Sequence, residues 1–122
     1  MARGAEGRDS MDCVFCAIAS GEIATDFIAK SETAVAFRDR SATAPTHVLV
    51  IPRKHIASVD EMSRTQPHLA TDLLMLCAEV ARAEGIVESG YRVVTNVGAD
   101  AGQSVYHVHF HVLGGRKLRE MG

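Results

Sequence analysis

The sequence is short of the features that mark secreted and membrane proteins. Three cysteines in 122 residues, Cys13, Cys16 and Cys77, do not make a disulfide framework, so we expect a reducing, cytoplasmic setting. No apolar run approaches the length of a membrane span, and no signal peptide is visible. The net charge of −2 gives no reason to expect a nucleic acid or a membrane as partner.

The residues that are present fit one compact unit. A length of 122 residues and a hydrophobic share of 47% are ordinary for one globular domain with one core. Residues 1–11 are small and polar without an apolar centre, which predicts a disordered N-terminal segment. Residues 12–122 contain no repeat, linker or composition shift, so we predict a single domain there.

The spacing of apolar residues predicts an α+β fold. We expect an antiparallel sheet of about five strands with one long helix and a short N-terminal helix. Asp12 is placed to cap a helix over residues 13–19 that Ser20-Gly21 ends. A long helix is predicted to begin near Thr65, with Pro67 in its first turn, and to end at Gly85.

Four stretches carry the strand signals. The alternation in DFIAKSETAVAFRD predicts a hairpin turning at Ser31-Glu32. THVLVIP predicts a half-buried strand that Pro52 stops. YRVVTNV and SVYHVHFHVLGG predict two more strands, separated by a turn rich in Gly, Asn and Asp.

Three histidines alternate along the last predicted strand. Because strand side chains alternate between faces, His107, His109 and His111 share one face, with neighbours roughly 7 Å apart at the backbone. The opposite face is largely apolar and is predicted to pack on the long helix; it comprises Tyr106, Val108, Phe110 and Val112. A row of imidazoles is costly to bury without partners, so this face favours a functional site.

Residue chemistry alone leaves several interpretations of that row. Neutral imidazole binds zinc, and it also serves as a nucleophile or a general acid–base group at a phosphate or acyl centre. Three solvent-facing histidines are the plain alternative. The preceding GADAGQS, whose glycines let backbone N–H groups approach an anion and whose Ser104 adds a hydroxyl, favours a phosphate.

The sequence resembles a known family at this point. HVHFHVL over residues 107–113 matches the histidine triad pattern, in which three histidines alternate with apolar residues. Further matching stretches are CVFCAIASGEI, VAFRDRSATAPTHVLVIPRKH and GYRVVTNVGADAGQSVYHVHFHVLGGR. Together they cover residues 12 to about 117 and resemble the Hint branch of the histidine triad (HIT) nucleotide-binding proteins, an α+β fold whose sheet extends across a homodimer.

The resemblance implies a covalent mechanism at a purine nucleoside monophosphate. His109 corresponds to the nucleophile that attacks the α-phosphorus, and a nucleotidyl-histidine intermediate is then hydrolysed. His111 corresponds to a phosphate contact, and His47 to a fourth histidine that fixes ring orientation. Ser104 donates to the phosphate or the leaving atom, and the backbone N–H groups of residues 102–104 are expected to stabilise negative charge.

The resemblance also implies a nucleoside pocket. Asp39 corresponds to the acid that accepts from the ribose hydroxyls, although it also fits a turn before Ser41. Arg40 departs from the pattern, which usually has an aliphatic residue there. The remaining implied nucleotide contacts are Asn96, Gly102 and Gln103 near the phosphate and the apolar residues Phe15, Ile18, Ile23, Phe37 and Leu49, which composition alone would assign to the core.

A second site is implied around the cysteine pair. A lone C-x-x-C is a weak signal by itself, compatible with a redox pair or two buried thiols. Relatives with this pair bind a structural zinc, and the matching ligands here are Cys13, Cys16, His55 and His107. We assign Cys77 to the core and His68 to solvent.

Three functions compete at this level. The resemblance favours a hydrolase of nucleoside 5′-phosphoramidates, and the alternatives are a dinucleoside polyphosphate hydrolase and a nucleotide-binding regulatory or scaffold protein. A catalytic zinc held by all three triad histidines is disfavoured, because such ligands rarely come from alternating residues beside a phosphate turn. The chain ends in LREMG without tryptophan, so the leaving group stays open, as does adenine versus guanine.

Overall fold

A computed structural model describes residues 13–121 and confirms the predicted fold class. Among these residues the chain forms three α-helices, five strands and one short 3-10 helix. In chain order they are α1 (Val14–Ser20), β1 (Phe27–Lys30), β2 (Ala34–Arg38), β3 (Thr46–Pro52), α2 (Val59–Thr65), α3 (His68–Ala83), β4 (Tyr91–Val94), the 3-10 helix (Ala99–Ala101) and β5 (Phe110–Gly114).

The five strands form one antiparallel sheet in the order β1-β2-β3-β5-β4. The hairpin turns where the sequence predicted, and its turn is closed by the Ser31 N–H donating to Ala34 O at 2.8 Å. β5 lies between β3 and β4, with Leu49 and Val94 both opposite His111. The triad strand is therefore held on both edges, which fixes its side chains in place.

The long helix α3 packs on one face of this sheet. Its buried stripe lies against the apolar face of β5 and the segment before it, as predicted. The residues that meet there include Leu69, Leu73, Leu76, Cys77 and Val80 from the helix and Val48, Val50, Val108, Phe110 and Val112 from the sheet. Burying this apolar surface stabilises the fold and leaves the histidine face on the other side.

The opposite face of the sheet carries a second apolar cluster. It joins α1 to β2 and β3 and contains Cys13, Phe15, Ala19, Val35, Phe37, Leu49 and Ile51. Because both faces are covered, all seven residues of β3 are buried. The prediction that this strand is half-buried was wrong, since periodicity cannot reveal a second covering layer.

Several predicted boundaries were also wrong. The long helix begins at His68 and not near Thr65, because a separate helix, α2, occupies the preceding residues and ends at Thr65 with Gln66 as its C-cap. Ser58 caps α2 by accepting from the Glu61 N–H, a Ser-x-x-Glu signal in the sequence. The predicted strands over residues 91–97 and 104–115 shorten to β4 and β5.

The N-terminal helix is capped differently from the prediction. Cys13 is its N-cap, and its sulfur accepts from the Cys16 N–H at 3.4 Å, while Gly21 ends the helix in a left-handed conformation. Asp12 and the predicted disordered segment over residues 1–11 lie outside the described residues. Over residues 13–121, none of the helices has the length and apolar character needed to cross a bilayer.

Candidate active site

The three alternating histidines meet the second apolar cluster at one end of the sheet. His109 is buried and packs edge-on against the Phe15 ring of α1, with ring centroids 5.2 Å apart. His111 lies 5.2 Å from His109 and 5.1 Å from His47, centroid to centroid. The structure thus brings the three predicted catalytic imidazoles, His47, His109 and His111, into one row.

The backbone sets the tautomer of His109. Its Nδ1 lies 2.8 Å from the carbonyl oxygen of His107, and a carbonyl only accepts, so Nδ1 carries the hydrogen. The lone pair of the neutral ring is therefore on Nε2. Burial lowers the pKa of His109 below its ordinary value, which keeps the ring neutral near pH 7. A neutral imidazole with a fixed Nε2 lone pair is suited to nucleophilic attack.

A chain of hydrogen bonds sets the tautomers of the other two rings. The Thr43 N–H donates to His47 Nδ1 at 3.1 Å, so the hydrogen of neutral His47 is on Nε2. That N–H donates to His111 Nδ1 at 2.9 Å, which leaves the hydrogen of His111 on Nε2. Burial, and then the neighbouring His109 and His47, lower the pKa of His111 to about 4. His111 therefore offers an N–H donor to the site over a wide pH range.

The carboxylate of Asp39 stands beside this chain. Its Oδ1 accepts from the Ser41 N–H at 2.7 Å, and its Oδ2 lies 3.3 Å from His47 Nε2. The first contact is the turn that the plain reading of Asp39 predicted. The second places a negative charge at the imidazole row and agrees with a hydrogen on His47 Nε2.

The glycine-rich turn differs from the prediction in its donors. The Gly102 N–H donates to Ala99 O and the Gln103 N–H to Gly98 O, both at 3.0 Å, because the 3-10 helix closes the turn on itself. Of the three predicted anion donors in residues 102–104, two are therefore engaged within the turn. Ser104 is exposed at the rim, and its N–H has no hydrogen bond within residues 13–121.

The side chain of Gln103 holds this turn to the rest of the site. Its amide nitrogen donates to Ala57 O at 2.7 Å and to Val105 O at 3.1 Å, and its oxygen accepts from the Gly98 N–H at 2.9 Å. Gln103 is buried, so these bonds give it a positioning role. Asn96, another predicted phosphate contact, is half-buried between β4 and the turn.

Four of the five predicted apolar wall residues come together. Phe15, Phe37 and Leu49 are buried in the second cluster, and Ile18 packs against it. Ile23 stands outside that cluster and is 43% exposed. Four of the residues predicted to contact the base therefore lie in or against one compact apolar cluster, and Ile23 lies outside it at the surface.

Four side chains, among them His107 of the triad, form a second cluster. Cys13 Sγ and Cys16 Sγ lie 3.3 and 3.5 Å from His107 Nδ1, and Cys16 Sγ lies 3.3 Å from His55 Nδ1. All four ligand atoms are within 4.8 Å of one another. Ligands about 2.0–2.3 Å from a tetrahedral zinc lie roughly 3.3–3.8 Å apart, so the observed spacings fit such a metal.

The donor chemistry of this cluster also fits a cation. His107 Nε2 donates to Pro52 O at 2.8 Å, which leaves the Nδ1 lone pair facing the two sulfurs. Burial and the adjacent Cys13 raise the pKa of the Cys16 thiol to about 12, so a thiolate there needs a positive partner. Among the described residues a second group of potential metal ligands consists of Asp39, His47 and His111, and neither group contains all three triad histidines.

Sequence reasoning missed two residues of the site. Thr43 contributes its backbone N–H to His47, and Thr95 donates its hydroxyl to His109 O at 2.8 Å. A backbone donor has no side-chain signature, so nothing in the sequence marks Thr43. Thr95 sits in a predicted strand, where threonine is common for reasons of propensity alone.

Fold and site together define a histidine triad protein, and the comparison with protein families agrees. The HIT domain model matches residues 20–118, so the chain belongs to the HIT family. The purine nucleoside phosphoramidase of Escherichia coli K12 is 39% identical over 110 residues, which cover 90% of this chain and 92% of that protein.

Solved structures give the same answer. A HIT family hydrolase from Legionella pneumophila superposes with a TM-score of 0.84 at 44% identity, covering 88% of this chain and 96% of the other. A histidine triad protein from Clostridium difficile superposes with a TM-score of 0.87 at 36% identity, covering 92% and 97%. Both matches agree with the assignment of the chain to the HIT family.

Proposed function

We propose that this protein hydrolyses purine nucleoside 5′-phosphoramidates through a covalent intermediate on His109. The observation that carries the proposal is the buried His109, whose Nδ1 hydrogen is held by a backbone carbonyl so that Nε2 is the nucleophilic atom. The 39% identical relative from Escherichia coli, a purine nucleoside phosphoramidase, supports the substrate class.

The reaction takes two displacements at phosphorus. His109 Nε2 forms a bond to the α-phosphorus while the bond from phosphorus to the amine breaks, and the amine leaves with the electron pair and takes up a proton from solvent. Water then attacks the phosphorus of the nucleotidyl-histidine and gives up a proton to solvent, the bond from phosphorus to Nε2 breaks with its electron pair returning to Nε2, and the nucleoside monophosphate is released. His111 Nε2–H donates to a phosphate oxygen in both steps, where negative charge builds up.

The nucleoside is placed by the surrounding residues. Asp39 accepts hydrogen bonds from the ribose hydroxyls, and the purine packs against the second apolar cluster, which contains Phe15, Phe37 and Leu49. Ser104 and Asn96 contact the phosphate from the turn side. With two N–H groups of that turn already engaged, the Ser104 hydroxyl and N–H supply its donors to the anion.

A structural zinc belongs to the same proposal. Cys13, Cys16, His55 and His107 would hold it, and the ion would cross-link the N-terminal helix to the segments on both sides of the site. His107 then acts as a ligand and not in the chemistry, while its carbonyl holds His109.

A substrate panel tests the proposal. Adenosine and guanosine 5′-phosphoramidates are compared with diadenosine polyphosphates, using wild type and the His109→Ala variant. Faster turnover of the phosphoramidates, lost in the variant, is the expected result. Preference for the dinucleotides would favour the polyphosphate hydrolase, and tight nucleotide binding without turnover would favour the regulatory or scaffold alternative.

A further inference from the structure

The residues directly after the triad contact the segment that leads into β3. Thr46 and Gly114 are paired at the end of the sheet, so Pro45 comes to lie against Gly115. A Cβ on Gly115 would stand 2.8 Å from Pro45 Cβ, and its φ of +95° disfavours any other residue. Glycine at 115 therefore lets the two backbones approach.

The guanidinium of Arg116 makes a second contact between these two segments. Nη2 donates to Thr43 O at 2.8 Å, and Nη1 donates to Lys117 O at 2.9 Å. The planar fork thus joins the carbonyl of the Thr43–Pro45 segment to the chain that follows β5. Thr43 is otherwise in an exposed loop, where a carbonyl partner of this kind restricts the peptide orientation.

The same Thr43 residue orients the histidine row. Its N–H donates to His47 Nδ1 at 3.1 Å, and its hydroxyl lies 3.4 Å from that nitrogen. If this donor moves away, the hydrogen of His47 is free to occupy Nδ1, and the 2.9 Å bond from Nε2 to His111 is lost. His111 would then lose the contact that keeps its own hydrogen on Nε2.

We infer that Arg116 is a positioning residue for catalysis, which fixes the tautomers of His47 and His111 through the Thr43 peptide. It touches neither substrate nor reacting atoms. The kinetic part of this inference rests on the proposed phosphoramidate hydrolysis, whereas the tautomers are properties of the free protein. Hydrogen bonds run from Arg116 to Thr43, from Thr43 to His47 and from His47 to His111. They give the Gly-Gly-Arg sequence at residues 114–116 a role in the site.

The test compares Arg116→Ala with Arg116→Lys and Gly115→Ala. Long-range proton–nitrogen spectra of imidazole-labelled protein report which ring nitrogen carries hydrogen. In Arg116→Ala we expect the two His47 nitrogens to move towards averaged shifts and kcat to fall on the order of 10-fold, with KM within about twofold. Arg116→Lys, which retains a donor, is expected to keep part of the wild-type kcat and part of the wild-type difference between the two His47 nitrogen shifts. Gly115→Ala is expected to lower kcat and to average the His47 shifts as Arg116→Ala does.

Arg119→Ala is the matched control, since it removes the same charge from an exposed position three residues further along. It should change neither the spectra nor kcat. Unchanged His47 and His111 spectra in Arg116→Ala would overturn the inference, as would altered spectra with unchanged kcat or an equal fall in kcat in the control. If wild type does not cleave phosphoramidates, the proposed function fails, and the spectra alone decide whether Arg116 sets the tautomers.

Discussion

At the scale of single residues, the site is defined by which imidazole nitrogen carries a hydrogen. Three backbone groups decide this: the carbonyl of His107 for His109, the N–H of Thr43 for His47 and the carbonyl of Pro52 for His107. Each ring is therefore assigned one donor and one acceptor nitrogen before substrate arrives. Such preorganisation removes a reorganisation cost from the reaction.

The first prediction at this scale concerns the nucleophile. His109→Ala should lower kcat on the order of 10⁴-fold or more, because no other group supplies the Nε2 lone pair at phosphorus. Binding of the nucleoside monophosphate should stay within about tenfold of wild type by calorimetry. Retention of most of the turnover would exclude the covalent mechanism, and a phosphohistidine trapped in a single turnover would support it.

A second prediction concerns the pH dependence of stability. The pKa of His111 is about 4 in the folded protein, below the ordinary value of 6.5, so the unfolded chain binds more protons between these values. The contribution of neutral His111 to the free energy of unfolding is fully present above pH 6.5 and is lost as the pH drops towards 4. Urea titrations should show that His111 lowers the free energy of unfolding by on the order of 1–3 kcal/mol over this interval, a figure already reduced because the side chain is partly exposed.

His111→Asn is the control for that measurement, because it removes the titrating group. The variant should have a flatter dependence of unfolding free energy on pH over the same interval. Equal slopes in both proteins would show that other groups carry the acid sensitivity.

At the scale of elements, the N-terminal helix depends on its attachments. α1 has seven residues, too few to be stable alone, and it carries Phe15 onto His109. Its first turn holds both cysteines of the Cys/His cluster, whose other members come from the segments after β3 and before β5. A metal there would join three elements that meet at the nucleophile.

The third prediction follows for the zinc. Purified protein should contain about one zinc per chain, and chelation should lower the midpoint of thermal unfolding on the order of 10 °C. Cys16→Ser should lose the metal, whereas Cys77→Ala, which changes a buried thiol outside the cluster, should keep it. If protein prepared without chelators contains no zinc, the prediction is wrong and the two cysteines serve only to pack the core.

At the scale of the whole molecule, one edge and one helix face are apolar. β4 is an end strand of the sheet, and Val93 on it is 37% exposed although it points to the same face as Val112. On α3, Leu74 and Met75 are 51% and 65% exposed. Exposed edges and apolar patches are usually covered in a native protein, so these features fit an interface with a second copy.

The fourth prediction is a two-fold homodimer built from α3 and β4. Light scattering at low micromolar concentration should give about twice the 13.1 kDa of one chain. Met75→Glu should shift the mass towards one chain, because it places a charge in the apolar patch. Ala24→Glu adds the same charge at an exposed site away from α3 and β4 and should leave the dimer intact; a wild-type mass equal to one chain would contradict the prediction.

Much of the fold was determined by the sequence. Hydrophobic periodicity identified the hairpin, the stripe of α3 and the apolar face opposite the triad, because these patterns depend only on local geometry and burial. Helix α2 was not predicted, although Ser58 and Glu61 mark its N-terminal cap. Pro67, predicted in the first turn of the long helix, is instead the N-cap of α3. The triad motif likewise identified the family from residues alone.

Other properties were decided only by the tertiary structure. No local pattern places the carbonyl of His107 under His109, aims the Thr43 N–H at His47 or brings His55 to Cys16 from 39 residues away. Within the glycine-rich turn, local hydrogen bonds engage the N–H groups of Gly102 and Gln103, two of the three that were predicted to bind an anion. Residue types fix which chemistry is available. Hydrogen bonds fix which nitrogen of each imidazole carries the hydrogen, and those from His47 to His111 and from His107 to Pro52 join segments that meet only once the sheet has formed.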